Sequence, residues 1–334
     1  MAVGAQEWLD QVVEEVVEPD LPICDPHHHL WDHPDSRYLL DELLEDTGDG
    51  HNVVSTVFVE CASMYRASGD ETVRPVGETE FVNGIAAMSA SGRYGTTRAC
   101  AGIVSYADLN LGADAGVVLD AHIAASSRFR GIRHAAGWDA SEAVRNSHTD
   151  PFAGMLADAT FREGFAQLAP RNLSFDAWLY HPQICELTNL ARAFPDTTII
   201  LDHLGGPLGI GPYESSRVTI FNQWREDIAA LAECENVVAK LGGMVMPING
   251  FGFHKHDQPP GSDAIVAATG DYYRHMLDCV GAERCMFESN FPVDKQSCSY
   301  RTLWNAFKKL VADASASEKA ALFHDTAARV YRIS

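Results

Sequence analysis

The sequence predicts a (β/α)8 TIM barrel of the α/β class. Two observations carry that expectation. Eight short apolar runs alternate along the chain with eight stretches of amphipathic, helical character. Nearly every run also ends in a polar or ionisable residue, as expected where barrel enzymes place their chemistry at the strand C-termini. A length of 334 residues suits a single barrel, which takes about 250 residues plus insertions. No repeat or Pro/Ser-rich linker divides it. Residues 1–20 are set apart as an N-terminal extension, and 21–334 form the barrel domain.

The runs, taken in order, are LPICDPHHH (21–29), VVSTVFVE (53–60), ACAGIVSY (99–106), FRGIRHA (129–135), SFDAWLY (174–180), TTIILDH (197–203), NVVAKLGG (236–243) and CMFESNF (285–291). They are near-continuously apolar, as strands buried on both faces of a parallel sheet should be. Helices are expected at 78–91, 112–126, 150–168, 182–194, 217–234, 263–280 and 299–313, with a closing helix at 316–330. A doubly wound open sheet is the alternative. It lacks a G-x-G-x-x-G after an early strand.

Composition narrows the function classes. The net charge of −21 repels a phosphate backbone and an anionic membrane, so nucleic acid and membrane are not expected partners. No apolar run reaches the roughly 18 residues a membrane span needs. A small carboxylated substrate remains compatible, because a few arginines reverse the field inside a pocket. The eight cysteines are scattered without a C-x-x-C, which reads as buried free thiols. The N-terminus lacks the layout of a signal peptide, so a cytoplasmic location is expected. Association into a homo-oligomer stays open.

The candidate site residues fall at the strand ends. In Asp25-Pro26-His27-His28-His29, alternation puts Asp25, His27 and His29 on one face. Two imidazoles there either share a divalent ion or hydrogen-bond a substrate. His203, ahead of Gly205-Gly206-Pro207, is a metal ligand, an acid, a base or a cap. His181 reads as a substrate contact. Arg130 and Arg133 lie on opposite faces of the fourth strand, so only one can enter the barrel. That one either grips a carboxylate or pairs with Glu60. Glu288 and Asn290 share a face, with Glu288 deeper. It is a general base, a metal ligand or a buried partner of Arg133 or Lys240. Tyr65 and Arg66, after the second strand, and His254, in the 250–261 loop, are candidate substrate contacts.

With these residues in place, the chain resembles the amidohydrolase-related (amidohydrolase 2) family of metal-dependent TIM-barrel hydrolases, in the branch of sugar-acid lactonases and 2-pyrone-4,6-dicarboxylate lactonases. The stretches that carry the resemblance are DPHHHLWD (25–32), FRGIRH (129–134), LYHPQI (179–184), LDHLGGP (201–207) and FESNFPVD (287–294). The resemblance implies hydrolysis of a lactone or related ester. It also implies an ion, zinc by preference, at His27, His29 and His203, although members of the branch also work without one. It carries an arginine of FRGIRH onto carboxylate recognition. The departure is Asn290, where the family pattern has an aspartate that activates water. A neutral amide cannot take that proton, which leaves His203, Glu288 or Glu60 as the base. Non-oxidative decarboxylation is a second expectation, and a catalytically silent binding protein a third.

Overall fold

The computed structural model describes residues 6–333. Eight parallel strands form one sheet: β1 (Ile23–His28), β2 (Val53–Val59), β3 (Arg98–Ser105), β4 (Phe129–Arg133), β5 (Ser174–Ala177), β6 (Ile199–Leu201), β7 (Val237–Leu241) and β8 (Cys285–Phe287). Each pairs with its sequence neighbours, and the order runs unbroken from β1 to β8. The ring closes just past β8. There Asn290 N donates to His27 O at 2.9 Å and His29 N to Phe291 O at 2.8 Å. The closing seam is therefore made of candidate site residues.

Alternation along the strands divides the core. Outward residues such as Phe58, Ile103, Ile132, Phe175, Leu201 and Phe287 pack under the helices against Leu119, Leu187, Trp224 and Phe307. Inward residues Val57, Val59, Val104, Ile200, Val238 and Met286 fill the lower lumen. The end of the chain, Ala327, Val330 and Tyr331, plugs that lumen from below. Layered apolar filling of this kind makes the barrel a packed core, with its chemistry confined to one rim. The helix Tyr300–Leu310 shows how local sequence fixes an element. Ser299 caps it by accepting from Thr302 N, Leu303, Trp304 and Phe307 face inward, and Lys308 and Lys309 lie in the last turn.

All eight expected strands are present. The expected helix at 150–168 shrinks to Ala159–Phe165, started by Asp158, whose carboxylate accepts from Thr160 N and Phe161 N. The expected closing helix at 316–330 is present without interruption, Ala316–Ala320 and Thr326–Val330 joined through one wider helical turn at Ala321–Asp325. A short antiparallel pair (Trp31–His33 with Ser36–Tyr38) and the helix Leu40–Thr47 were not foreseen. Residues 6–20 lie against the barrel. The Glu14 carboxylate accepts from Ser262 N and Oγ, each at 2.6 Å, and Val17 N donates to Asn305 Oδ1. Among the described residues no helix is long and apolar enough to cross a membrane.

Burial holds many imidazoles neutral. His28, His51, His122, His134 and His181 are all pushed down to about 4, with loss of water the largest cause in each. An unfolded chain takes up those protons near pH 6.5, so it binds more protons than the folded one between about pH 6.5 and 4. Stability is then lost as pH falls through that window. Asp25 and Asp176, raised by burial to about 6, and Glu78, raised by burial to about 8, act in the opposite sense, while Glu60 and Glu288, held at about 2, add to the loss on acidification. The thermal midpoint is expected to fall steadily between pH 7 and pH 4.5 in a calorimetric series. A flat or rising midpoint would contradict this assignment.

Candidate active site

The C-terminal rim of the barrel gathers His27 and His29 from β1, Glu60 after β2, Arg133 from β4, Asp176 and Trp178 at β5, Asp202 and His203 after β6, Lys240 from β7 and Glu288 after β8. All but Trp178 are buried. At the centre, Glu288 lies between two imidazoles. Its Oε1 accepts from His203 Nδ1 at 2.6 Å and from His203 N at 3.1 Å. Its Oε2 lies 2.8 Å from His27 Nδ1. The rings of His27 and His203 are 4.5 Å apart, and those of His27 and His29 are 5.0 Å apart.

These contacts set the ring protons. A carboxylate can only accept, so Nδ1 of His203 carries the hydrogen and Nε2 keeps its lone pair. His29 Nδ1 donates to Val59 O at 2.8 Å, which leaves its Nε2 unprotonated as well. At His27, Arg133 NH1 approaches Nε2 at 3.3 Å, while Lys240 Nζ at 3.1 Å and Glu288 Oε2 at 2.8 Å both meet Nδ1. Burial works against a charged Glu288, yet His203 and His27 hold it down at about 2. His29 is pushed down to about 3 by burial and by Arg133.

Charged groups surround this centre. Lys240 Nζ lies 2.6 Å from Asp176 Oδ2, 3.1 Å from Asp202 Oδ1 and 3.1 Å from His27 Nδ1. Arg133 donates through Nε to Glu60 Oε1 at 2.7 Å and through NH2 to Glu60 O at 2.5 Å. His148 Nε2 meets Glu60 Oε2 at 3.1 Å. Despite burial, Arg133 and His148 hold Glu60 at about 2.

Backbone geometry makes room for the centre. His203 and Asn290 both adopt left-handed φ, 53° and 55°, a conformation that costs energy in non-glycine residues and recurs at functional sites. Two glycines after β7 allow the packing. A Cβ on Gly242 would lie 2.3 Å from Glu288 Cγ, and one on Gly243 would lie 2.6 Å from the His203 ring.

The structure brings His27, His29, His203, Glu288, Glu60 and Arg133 together. Asn290 lies at the same rim, but its Nδ2 donates to Asp294 Oδ1 at 3.0 Å. An aspartate at 290 would set two carboxylates against each other there. His181 is buried nearby, with Nδ1 accepting from Leu208 N. Tyr65 is on the Glu60 and Glu78 side, where burial and those carboxylates raise its hydroxyl. His254 is half-buried on the loop after β7, among Lys255 and His256.

Two expected substrate contacts are corrected. Arg130 faces away, donating to Tyr331 O at 2.6 Å and Ser127 O at 2.7 Å, because its odd spacing from Arg133 puts it on the other face. Arg66 is exposed and paired with Glu80. Arg133 has Nε and NH2 committed to Glu60, so it lacks a free fork for a bidentate grip.

Residues not singled out from sequence include Asp176, Trp178, His148 and the Gly242-Gly243 pair. Asp176 and Trp178 alternate in SFDAWLY, and a lysine inside the buried run VVAKL demands a partner. Those two signals were present. His148 arrives on the long segment after β4 and has no such signal.

His27, His203 and Glu288 offer ligand atoms that all lie within 4.8 Å of one another, a possible His/Glu metal site. The donor set of two imidazoles and a carboxylate is one that zinc accepts. Four carboxylates (Glu60, Asp176, Asp202 and Glu288) face only two cations, Arg133 and Lys240, and that excess of negative charge also suits one divalent ion.

Comparisons with known proteins agree with this geometry. The amidohydrolase family model matches residues 24–333. The chain is 34% identical to the uncharacterized protein y4mH of Sinorhizobium fredii, over 94% of this chain and 99% of that one. It is 28% identical to an L-fucono-1,5-lactonase of Burkholderia multivorans, over 53% and 57% of the two chains. Among solved structures, an amidohydrolase from Burkholderia multivorans with bound zinc superposes with a TM-score of 0.72 at 22% identity, covering 93% and 99%. A 5-carboxyvanillate decarboxylase from Sphingomonas paucimobilis gives 0.52 at 14% identity, covering 94% and 100%.

Gly243→Ala is expected to cost about 1–3 kcal/mol through overpacking against His203, seen as a lower urea midpoint. Gly84→Ala, whose Cβ would meet nothing within 4 Å, serves as the control and should leave the midpoint unchanged or raised. Equal behaviour of the two variants would contradict the packing described.

Proposed function

This chain belongs to the amidohydrolase family, and on that premise we propose that it hydrolyses a small lactone. The observation that carries the reading is the bond between Glu288 and His203 Nδ1, which leaves an imidazole lone pair at the barrel rim where the family pattern would use an aspartate. A carboxylate-held imidazole is a general base with a fixed tautomer.

In this reading water attacks the acyl carbon, and its proton passes to His203 Nε2. Glu288 stabilises the imidazolium that forms. The ring C–O bond then breaks, and the same proton goes to the departing alkoxide, so the product is a hydroxy acid. His27, held between Glu288 and Arg133, donates no proton and fixes the position of the pair. Arg133 adds positive potential near the developing oxyanion. Trp178, edge-on to His203 with ring centres 4.8 Å apart, offers a flat wall to a ring-shaped substrate. A divalent ion, when bound, would be held by His27, His203 and Glu288 and would supply Lewis-acid polarisation.

The test is a panel of sugar-acid lactones and carboxylated pyrones, run with and without chelator. Turnover of at least one lactone is expected. His203→Ala and Glu288→Gln should each lower kcat/KM about 10²- to 10⁴-fold, with the loss mainly in kcat. Turnover that survives chelation assigns the proton to His203. Turnover abolished by chelation and restored by zinc assigns His203 to the ion instead. No lactone turnover, together with CO2 release from an aromatic acid, would reject the hydrolase reading in favour of decarboxylation.

A further inference from the structure

The side chain of Lys240 sits fully buried at the floor of the rim. Its ammonium is surrounded as a metal ion would be, by two carboxylate oxygens and an imidazole nitrogen. Asp176 Oδ2 is at 2.6 Å, Asp202 Oδ1 at 3.1 Å and His27 Nδ1 at 3.1 Å. The ring of Tyr331 lies 5.5 Å from Nζ, and its hydroxyl donates to Asp176 Oδ2 at 2.6 Å. These donors come from β1, from β5 and from just after β6, and Tyr331 at the end of the chain completes them. They are held from several rigid elements, so they would stay gathered if the ammonium were removed.

We propose that this is a second cation site, occupied in the natural chain by the ammonium of Lys240, and that the lysine thereby limits the rim to at most one divalent ion. The set of two carboxylates and one imidazole is one that zinc and manganese accept. Contraction from the present 2.6–3.1 Å to metal–ligand distances needs roughly half to one ångström per donor. Removing the lysine would leave two buried carboxylates uncompensated, which a divalent ion would neutralise. Lys240 is therefore a residue that sets metal stoichiometry, and it keeps Asp176, Asp202 and His27 in place without touching substrate.

The inference concerns the count of ions and stands apart from the choice of reaction. Full-length wild type, Lys240→Ala and Lys240→Ala/Asp176→Asn are stripped with chelator, loaded with Zn2+ or Mn2+, desalted and measured by elemental analysis. Lys240→Ala is expected to hold one more ion per chain than wild type, whether wild type holds none or one. The double variant should lose that extra ion, which separates it from metal bound on the acidic surface. The thermal midpoint of Lys240→Ala should rise on adding Zn2+ by more than that of wild type. Two tightly held ions in wild type would overturn the proposal. So would no gain in Lys240→Ala, or a Lys240→Ala chain that fails to fold even with the metal present. Failure of lactone turnover alone would leave the ion count standing.

Discussion

One carboxylate holding two imidazoles is the interaction on which the rest of this site depends. Glu288 reaches His203 through one oxygen and His27 through the other. His27 belongs to β1 and His203 follows β6, so the carboxylate ties β1, β6 and β8 at a single point. The arrangement needs space that only glycine leaves at positions 242 and 243, and it needs His203 in a left-handed conformation. Strain at His203 is tolerated because both its backbone N–H and its ring are bound by the same carboxylate. The closing seam of the barrel then places Asn290 and the His27 backbone in contact. Fold closure and site geometry therefore share His27.

Charge is distributed around that centre in two arms. One runs from Glu60 through Arg133 to His27, and it is answered at the rim by His148. The other runs from His27 through Lys240 to Asp176 and on to Tyr331 at the end of the chain. Buried carboxylates of this kind are tolerable only with close partners, since an unpaired buried charge costs several kcal/mol. The second arm links the plug under the barrel to the chemistry above it. A chain end that merely filled the lower lumen would need no hydroxyl, and Tyr331 uses its hydroxyl to hold the carboxylate that holds the lysine.

Much of this was legible in the sequence. The alternation of apolar runs and amphipathic stretches specified eight strands, and polar residues at the run ends marked the rim. His27, His29, Glu60, Arg133, His203 and Glu288 are all found there. The alternatives left open for Arg133 and Glu288 needed coordinates. Whether an arginine grips substrate or a glutamate depends on which partner lies across the lumen, and pattern within one strand says nothing about that. Arg130 was separable from Arg133 by alternation alone. Arg66 was not, because a loop has no period. The helix before β5 is shorter than its pattern indicates because tertiary packing overrides local propensity there. Asn290 stands out in the sequence as a departure, but its partner, the buried Asp294 one turn further on, appears only in space.

The central claim is that Glu288 fixes the tautomer of His203. Nitrogen-15 NMR of histidine-labelled protein at neutral pH measures it directly, with His203→Asn used to assign the signal. The account predicts a protonated Nδ1 and an unprotonated Nε2 for His203, with the pattern changed in Glu288→Gln. A His203 ring carrying its single proton on Nε2, or one indifferent to loss of the Glu288 charge, would contradict it.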